Sequence, residues 1–119
     1  MTKAGDVGRD GENKVRDYLI EQGYEYAKRI RLKGQYDEGD VVLGDGYPVA
    51  IEVKAGQGAL KVAHSAGREL IEEIENAGAE IGFCVIKKAR SAKVDEWLVV
   101  IPMSEYIGQL KQMYPPRES

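Results

Sequence analysis

The apolar positions of the chain switch between two periods. In ENKVRDYLIEQG, Glu12 to Gly23, Val15, Tyr18 and Leu19 recur at helical spacing and a glycine follows, which predicts a first helix. From Tyr24 to Leu32 the period drops to two. Tyr24 and Tyr26 flank Glu25, and Ile30 and Leu32 alternate with Arg29 and Arg31, which predicts a strand with Lys28 near a slip or bulge. KGQYDEG, residues 33–39, reads as a loop. DVVL and YPVAIEVK read as two strands, and the GDG between them is a hairpin turn. AGQG turns the chain into a long helix, about Leu60 to Ala77. Its apolar face is Leu60, Ala63, Leu70, Ile71, Ile74 and Ala77, and Gly78 is its stop. IGFCVIK is a buried strand, KKARSAK a basic loop, EWLVVIP a further strand and SEYIGQLKQMY a last helix.

The order is therefore helix, three strands, helix, two strands, helix. That is an α/β domain with a central mixed sheet flanked by helices. The first three strands form an antiparallel meander, and the strand after the long helix returns beside them through a crossover. The 119 residues make one domain, 1–119, with YPPRES as a frayed end.

Charge changes this picture only locally. The formal net charge is −3, which does not point to a nucleic-acid partner. Five acids, Glu69, Glu72, Glu73, Glu75 and Glu80, crowd one segment without any Lys or Arg. Away from them, and from three acids considered next, cations outnumber anions. Cys84 is the only cysteine, so an intrachain disulfide is excluded, and its apolar surroundings predict a small buried residue rather than a reactive thiol. No signal peptide or membrane-length apolar run is visible. An intracellular, cytoplasmic protein with no membrane partner is expected, in the nucleoid or, for a viral source, in the host cytoplasm.

The stretch EGDVVLGDGYPVAIEVK, Glu38 to Lys54, carries candidate chemistry. Folding its hairpin about Asp45 and Gly46 sets Asp40 opposite either Ile51 or Glu52. Side chains opposed in this way have Cβ atoms about 4.5–5.5 Å apart. Along the second strand Val49, Ile51 and Val53 share one face, and Ala50, Glu52 and Lys54 share the other. Asp40, Glu52 and Lys54 then converge. Two carboxylates so close repel unless one takes a proton or a divalent cation joins them, and oxygen ligands suit Mg²⁺ or Mn²⁺. A lysine there orients an attacking water or stabilises charge on a phosphate. The plainer alternative is a solvated face on which Glu52 and Lys54 pair with neighbours. Asp37 is a competing acid, but in a loop. Glu12 lies three residues before Val15 and seven before Leu19. It either points along the apolar face of the first helix, where a carboxylate needs a partner, or sits at the helix start, where the dipole favours an acid.

GD, a hairpin and IEVK together resemble the PD-(D/E)XK nuclease superfamily, with Gly39 where the motif has its first proline. The element order matches that superfamily's restriction-endonuclease-like αβββαβ core, from Glu12 to about Ile86. GRDGENKVRDYLIEQGYEYAKRIR is similar to the opening of archaeal-type Holliday junction resolvases. The resemblance implies a metal-dependent endodeoxyribonuclease that resolves four-way DNA junctions as a homodimer. It further implies that Asp40, Glu52 and the backbone carbonyl of Val53 hold Mg²⁺ or Mn²⁺, that Glu12 is an additional acid of the site, and that Lys54 is the catalytic lysine. IEVKAGQGAL also resembles VRR-type nucleases. A flap or repair nuclease, or a non-catalytic DNA-binding subunit with the same fold, is the alternative.

Phosphate contacts need cations and carry no sequence information. Gln57, Lys61, His64 and Arg68 are spaced to share a face of the long helix. The basic loop adds Lys87, Lys88, Arg90 and Lys93. Arg29, Arg31 and Lys33 form another cluster, and Arg9, Lys14 and Arg16 surround the first helix. Each group is otherwise ordinary solvated surface. Nothing resembles a base-reading motif, so DNA shape is the expected cue. His64 has no neighbours that complete a metal or base constellation. Trp97, Tyr106, Ile107, Leu110, Met113 and Tyr114 are more apolar surface than one short helix needs. They either cover the sheet or form a two-fold interface.

Overall fold

The computed structural model describes residues 4–30, 40–56 and 58–117. Helix α1 (Ala4–Glu21) precedes strands β1 (Lys28–Ile30), β2 (Asp40–Val42) and β3 (Val49–Lys54). A 3₁₀ turn (Ala59–Val62) leads into α2 (Ala63–Asn76) and β4 (Ile81–Ile86). A second 3₁₀ turn (Val94–Glu96) precedes β5 (Leu98–Val100) and α3 (Met103–Met113). The strands form one mixed sheet in the order β1-β2-β3-β4-β5. β1, β2 and β3 pair antiparallel, β4 joins β3 in parallel through α2, and β5 closes the far edge antiparallel to β4. This is the expected α/β architecture.

The central strand explains where the core sits. Val15 of α1 packs with Val41, Leu43, Ile51, Val53, Val85 and Trp97 on one side of the sheet. Ala59, Cys84 and Ile86 form a smaller cluster on the other, the side of α2, where Leu70 and Ile74 are also buried. β3 is therefore covered on both faces, and all four residues from Ala50 to Val53 are buried. Alternation alone predicts a strand half in water. Two helical layers instead enclose it, so the polar positions of β3 are buried with the apolar ones. The hairpin before β3 places Gly44, Asp45 and Gly46 at positive φ (75°, 52° and 78°), the left-handed region that favours glycine and tolerates Asp.

Several elements depart from the periodicity. α1 begins eight residues before Glu12, through a stretch whose glycines argue against helix on propensity. Tertiary contact explains Gly11. A Cβ there would stand 2.5 Å from Ala55 Cβ and 3.5 Å from Val53 Cγ1, so glycine lets α1 lie directly on the end of β3. Gly8 has nothing within 4 Å of its Cβ position. Gly8→Ala is thus expected to stabilise by about 0.5–1 kcal/mol through helix propensity. Gly11→Ala should instead lower Tm, because overpacking costs about 1–3 kcal/mol. Thermal melts of the two variants check this pair, and a higher Tm for Gly11→Ala would mean that α1 does not rest on Ala55.

β1 is shorter than expected. Tyr24 and Tyr26 are exposed in a turn, while Lys28 sits in regular register opposite Val42 rather than at a bulge. Leu32, Arg31, Lys33 and Asp37 lie outside the described residues. In α2, Leu70 and Ile74 face inward, but Ile71 is exposed and Ala77 falls beyond the helix end. Trp97 does not join the surface of the last helix. It is buried in the main core, with Nε1 donating to the Ser91 carbonyl at 3.1 Å. No residue of α3 is buried, and Met103, Tyr106, Met113 and Tyr114 are exposed. Among the described residues, no helix is long and apolar enough to cross a membrane.

Candidate active site

The β2–β3 register pairs Asp40 with Glu52, settling which of the two expected partners it opposes. Only the backbone of Asp40 is described. On its other side Glu52 lies opposite Cys84 of β4, so the row from β2 to β4 reads Asp40, Glu52, Cys84. Positions opposed across a ladder lie on one face of a sheet. Glu52 is 2% exposed, which excludes a solvated face.

Lys54 Nζ lies 2.8 Å from Glu52 Oε1 and 3.0 Å from Glu69 Oε2. Glu69 belongs to α2, so the lysine joins a strand carboxylate to a helix carboxylate. The other oxygen of Glu52, Oε2, is buried and has no hydrogen-bond partner among the described residues. Burial pushes the Glu52 carboxyl up to about 7; Lys54 pulls against that shift and Glu69 adds to it. Glu69 moves the other way, held below its ordinary value mainly by its hydrogen bond from Lys54. The Cys84 thiol is pushed up to about 12 by burial and by the nearby Glu52 carboxylate, as expected for an inert core thiol.

A carboxylate oxygen buried without a donor costs stability, and a second acid opposite it raises that cost. A divalent cation at Glu52 Oε2 would relieve that cost, and a carboxylate oxygen is a donor of the kind that suits Mg²⁺ or Mn²⁺. Among the described residues no group of three or more acids, cysteines or histidines is arranged to hold a metal; the Asp40 side chain is not among them.

No family model matches this chain, and neither a curated protein nor a solved structure matches it significantly.

Glu12 is 1% exposed, in the middle of α1. The helix-start alternative is thereby overturned. Its partner is Arg29, whose Nε donates to Glu12 Oε1 at 2.9 Å while Nη1 donates to Asn13 Oδ1 at 3.3 Å. Arg29 stands opposite Val41, a residue of the α1-side core. Glu12 thus reaches the sheet from the face opposite that of Glu52, although Gly11 brings α1 to the end of β3. Arg29, expected to meet DNA, is committed to this ion pair.

The other cations are spread around the molecule. Lys87, Lys88 and Arg90 line a cavity of about 560 Å³ together with Ala55, Ala59, Ile86 and Leu98, at the C-terminal ends of β3 and β4. The loop is tied to the site, since the Lys87 N–H donates to the Lys54 carbonyl at 2.9 Å. Lys93 does not join them. It lies beside Lys14, Asp17 and Glu21 of α1. Lys14 pairs with Asp10 at 2.7 Å and Arg16 with Asp17 at 2.9 Å. Arg9 is exposed on α1, and Lys61 and Arg68 are exposed as well. Lys61, however, sits in the 3₁₀ turn while Arg68 sits in α2, so the expected single helical face is broken at Ala63. Gln57 and the His64 side chain lie outside the described residues.

Sequence reasoning missed Glu69. It stands in the acidic run of α2, and only the packing of α2 over β3 brings it to Lys54. The available signal was weak: an acid next to the inward-facing Leu70.

Proposed function

We propose that this protein is a Mg²⁺-dependent DNA endonuclease that cuts branched DNA, with the four-way junction as its substrate, on a restriction-endonuclease-like version of the fold above. The observation that carries the reading is Glu52: a buried carboxylate with one oxygen on Lys54 and the other without a hydrogen-bond partner among the described residues, opposite a second acid, Asp40, in the ladder. Asp40, Glu52 and the Val53 carbonyl would hold the cation, which when bound supplies Lewis acidity toward water and the phosphodiester. Lys54 would donate from Nζ to the attacking water or a phosphate oxygen, countering charge that develops as water attacks phosphorus in line and the opposite P–O bond breaks, the leaving oxygen taking a proton from solvent. Burial of Glu52 on the α2 side of the sheet strengthens that interaction. Glu12, paired with Arg29 on the α1 side of the sheet, has no part in this scheme.

Lys87, Lys88 and Arg90 support a phosphate-binding surface next to this site, because they flank the cavity that begins one residue after Lys54. The exposed apolar residues of β5 and α3 support a homodimer, whose two sites would suit the two strands of a junction.

A cleavage panel tests the reading. A four-way junction, a flap, linear duplex and single strand of equal length are incubated with Mg²⁺ and then Mn²⁺. Paired symmetric nicks confined to the junction are expected. Cutting of another substrate would keep the site and replace the junction assignment. Tight junction binding without any cutting would make the protein a non-catalytic DNA-binding subunit.

A further inference from the structure

Lys54 is held from two elements at once, β3 through Glu52 and α2 through Glu69. The two carboxylates differ in setting. The Glu52 side chain is 3% exposed, whereas the Glu69 side chain is 48% exposed. An ion pair that is half in water adds little to folding stability. Glu69 is nevertheless well placed, since the next residue, Leu70, is fully buried and fixes the backbone of α2 at that point.

A cation held by Glu52 and Asp40 would draw on a carboxylate that now lies 2.8 Å from Lys54 Nζ, and it would repel the ammonium. Glu69 is then a carboxylate, on a separate element, that still holds Lys54 Nζ at 3.0 Å. We propose that Glu69 is a positioning residue, which acts by holding Lys54 where it meets the phosphate or the attacking water; this rests on the endonuclease reading above. Glu69 touches no reacting atom in this scheme. Its contribution is the direction and reach of a long side chain, and small displacements of a catalytic group are costly to rate.

Glu69→Gln, Lys54→Met and the double variant test this, with kcat, KM for the junction and the Mn²⁺-induced rise in Tm as readouts. Glu69→Gln preserves size, so its Tm in EDTA should match that of the parent. Its kcat is expected to fall by about 10–10²-fold, by analogy with other misplaced catalytic groups, with KM and the Mn²⁺-induced shift unchanged. In the Lys54→Met background the same substitution should cause no further loss, because the group it positions is gone. Additive losses, or an unaltered kcat in Glu69→Gln, overturn the assignment. Loss of the Mn²⁺-induced shift in Glu69→Gln also overturns it and makes Glu69 a metal ligand. If the parent protein itself shows no Mn²⁺-induced shift and no cleavage, the endonuclease reading fails and this inference falls with it.

Discussion

Glu52→Gln is expected to lower Mg²⁺-dependent cleavage of a four-way junction by about 10³-fold while leaving junction affinity within a few-fold. The magnitude follows from the several kcal/mol that metal-assisted hydrolysis draws from a correctly held cation. Gln keeps the volume of the side chain but removes the charge that a divalent ion needs. Asp40→Asn should behave alike, since its register position opposes Glu52. Affinity should survive because the proposal assigns phosphate binding to separate cations, Lys87, Lys88 and Arg90, which line the neighbouring cavity. Lys54→Met should cut cleavage comparably yet keep the Mn²⁺-induced rise in Tm, which Glu52→Gln should lose. Gel-based cleavage and binding assays, with thermal melts in Mn²⁺ and in EDTA, separate these effects. Full cleavage by both Glu52→Gln and Asp40→Asn would sink the site assignment.

Without metal, the same substitution should make the protein more stable at alkaline pH. The Glu52 carboxyl moves from 4.5 in the unfolded chain to about 7 in the fold, chiefly through burial. The folded state therefore binds more protons than the unfolded state between those values, and stability falls as pH rises from about 4.5 through 7. The shift corresponds to about 3 kcal/mol above pH 7. Glu52→Gln removes this dependence. In EDTA at pH 8 the variant is expected to exceed the parent by about 2–3 kcal/mol, or roughly 5–10 °C in Tm. Near pH 4.5 the two should coincide. Glu69, with its lowered carboxyl, contributes the opposite slope, but it is half exposed and present in both proteins. If Glu52 holds the proposed cation, saturating Mg²⁺ or Mn²⁺ at pH 8 should reverse the order, because the ion would then stabilise the parent alone. A parent more stable than Glu52→Gln at pH 8 in EDTA would show that Lys54 more than offsets the burial of the carboxylate.

Local patterns were enough for the strand–turn–strand of β2 and β3. Alternation in VAIEVK and the turn residues of GDG are short-range signals, and together they confined Asp40 to Ile51 or Glu52 as its partner. The hydrogen-bonded ladder then chose Glu52. The crossover through α2 was legible for the same reason, because helical and strand periods alternate cleanly there. The N-terminal half of α1 was not legible. Its glycines oppose helix locally, and only the clearance Gly11 needs over Ala55 accounts for one of them. Trp97 looked like surface surplus until the second 3₁₀ turn set its indole in the core.

Residue pattern alone carries the order of elements, the alternation of β3 and the presence of two acids and a lysine within one hairpin. Tertiary structure alone decided that Glu52 is buried, that Glu12 faces Arg29 across the sheet from it, and that Lys54 meets Glu69. The physical reason is that alternation assigns a residue to a face of the sheet but not to what covers that face. Burial, orphaned oxygens and pairs distant in sequence arise only when α1 and α2 close over β3, and those are the features that turn an E-x-K pattern into a candidate site.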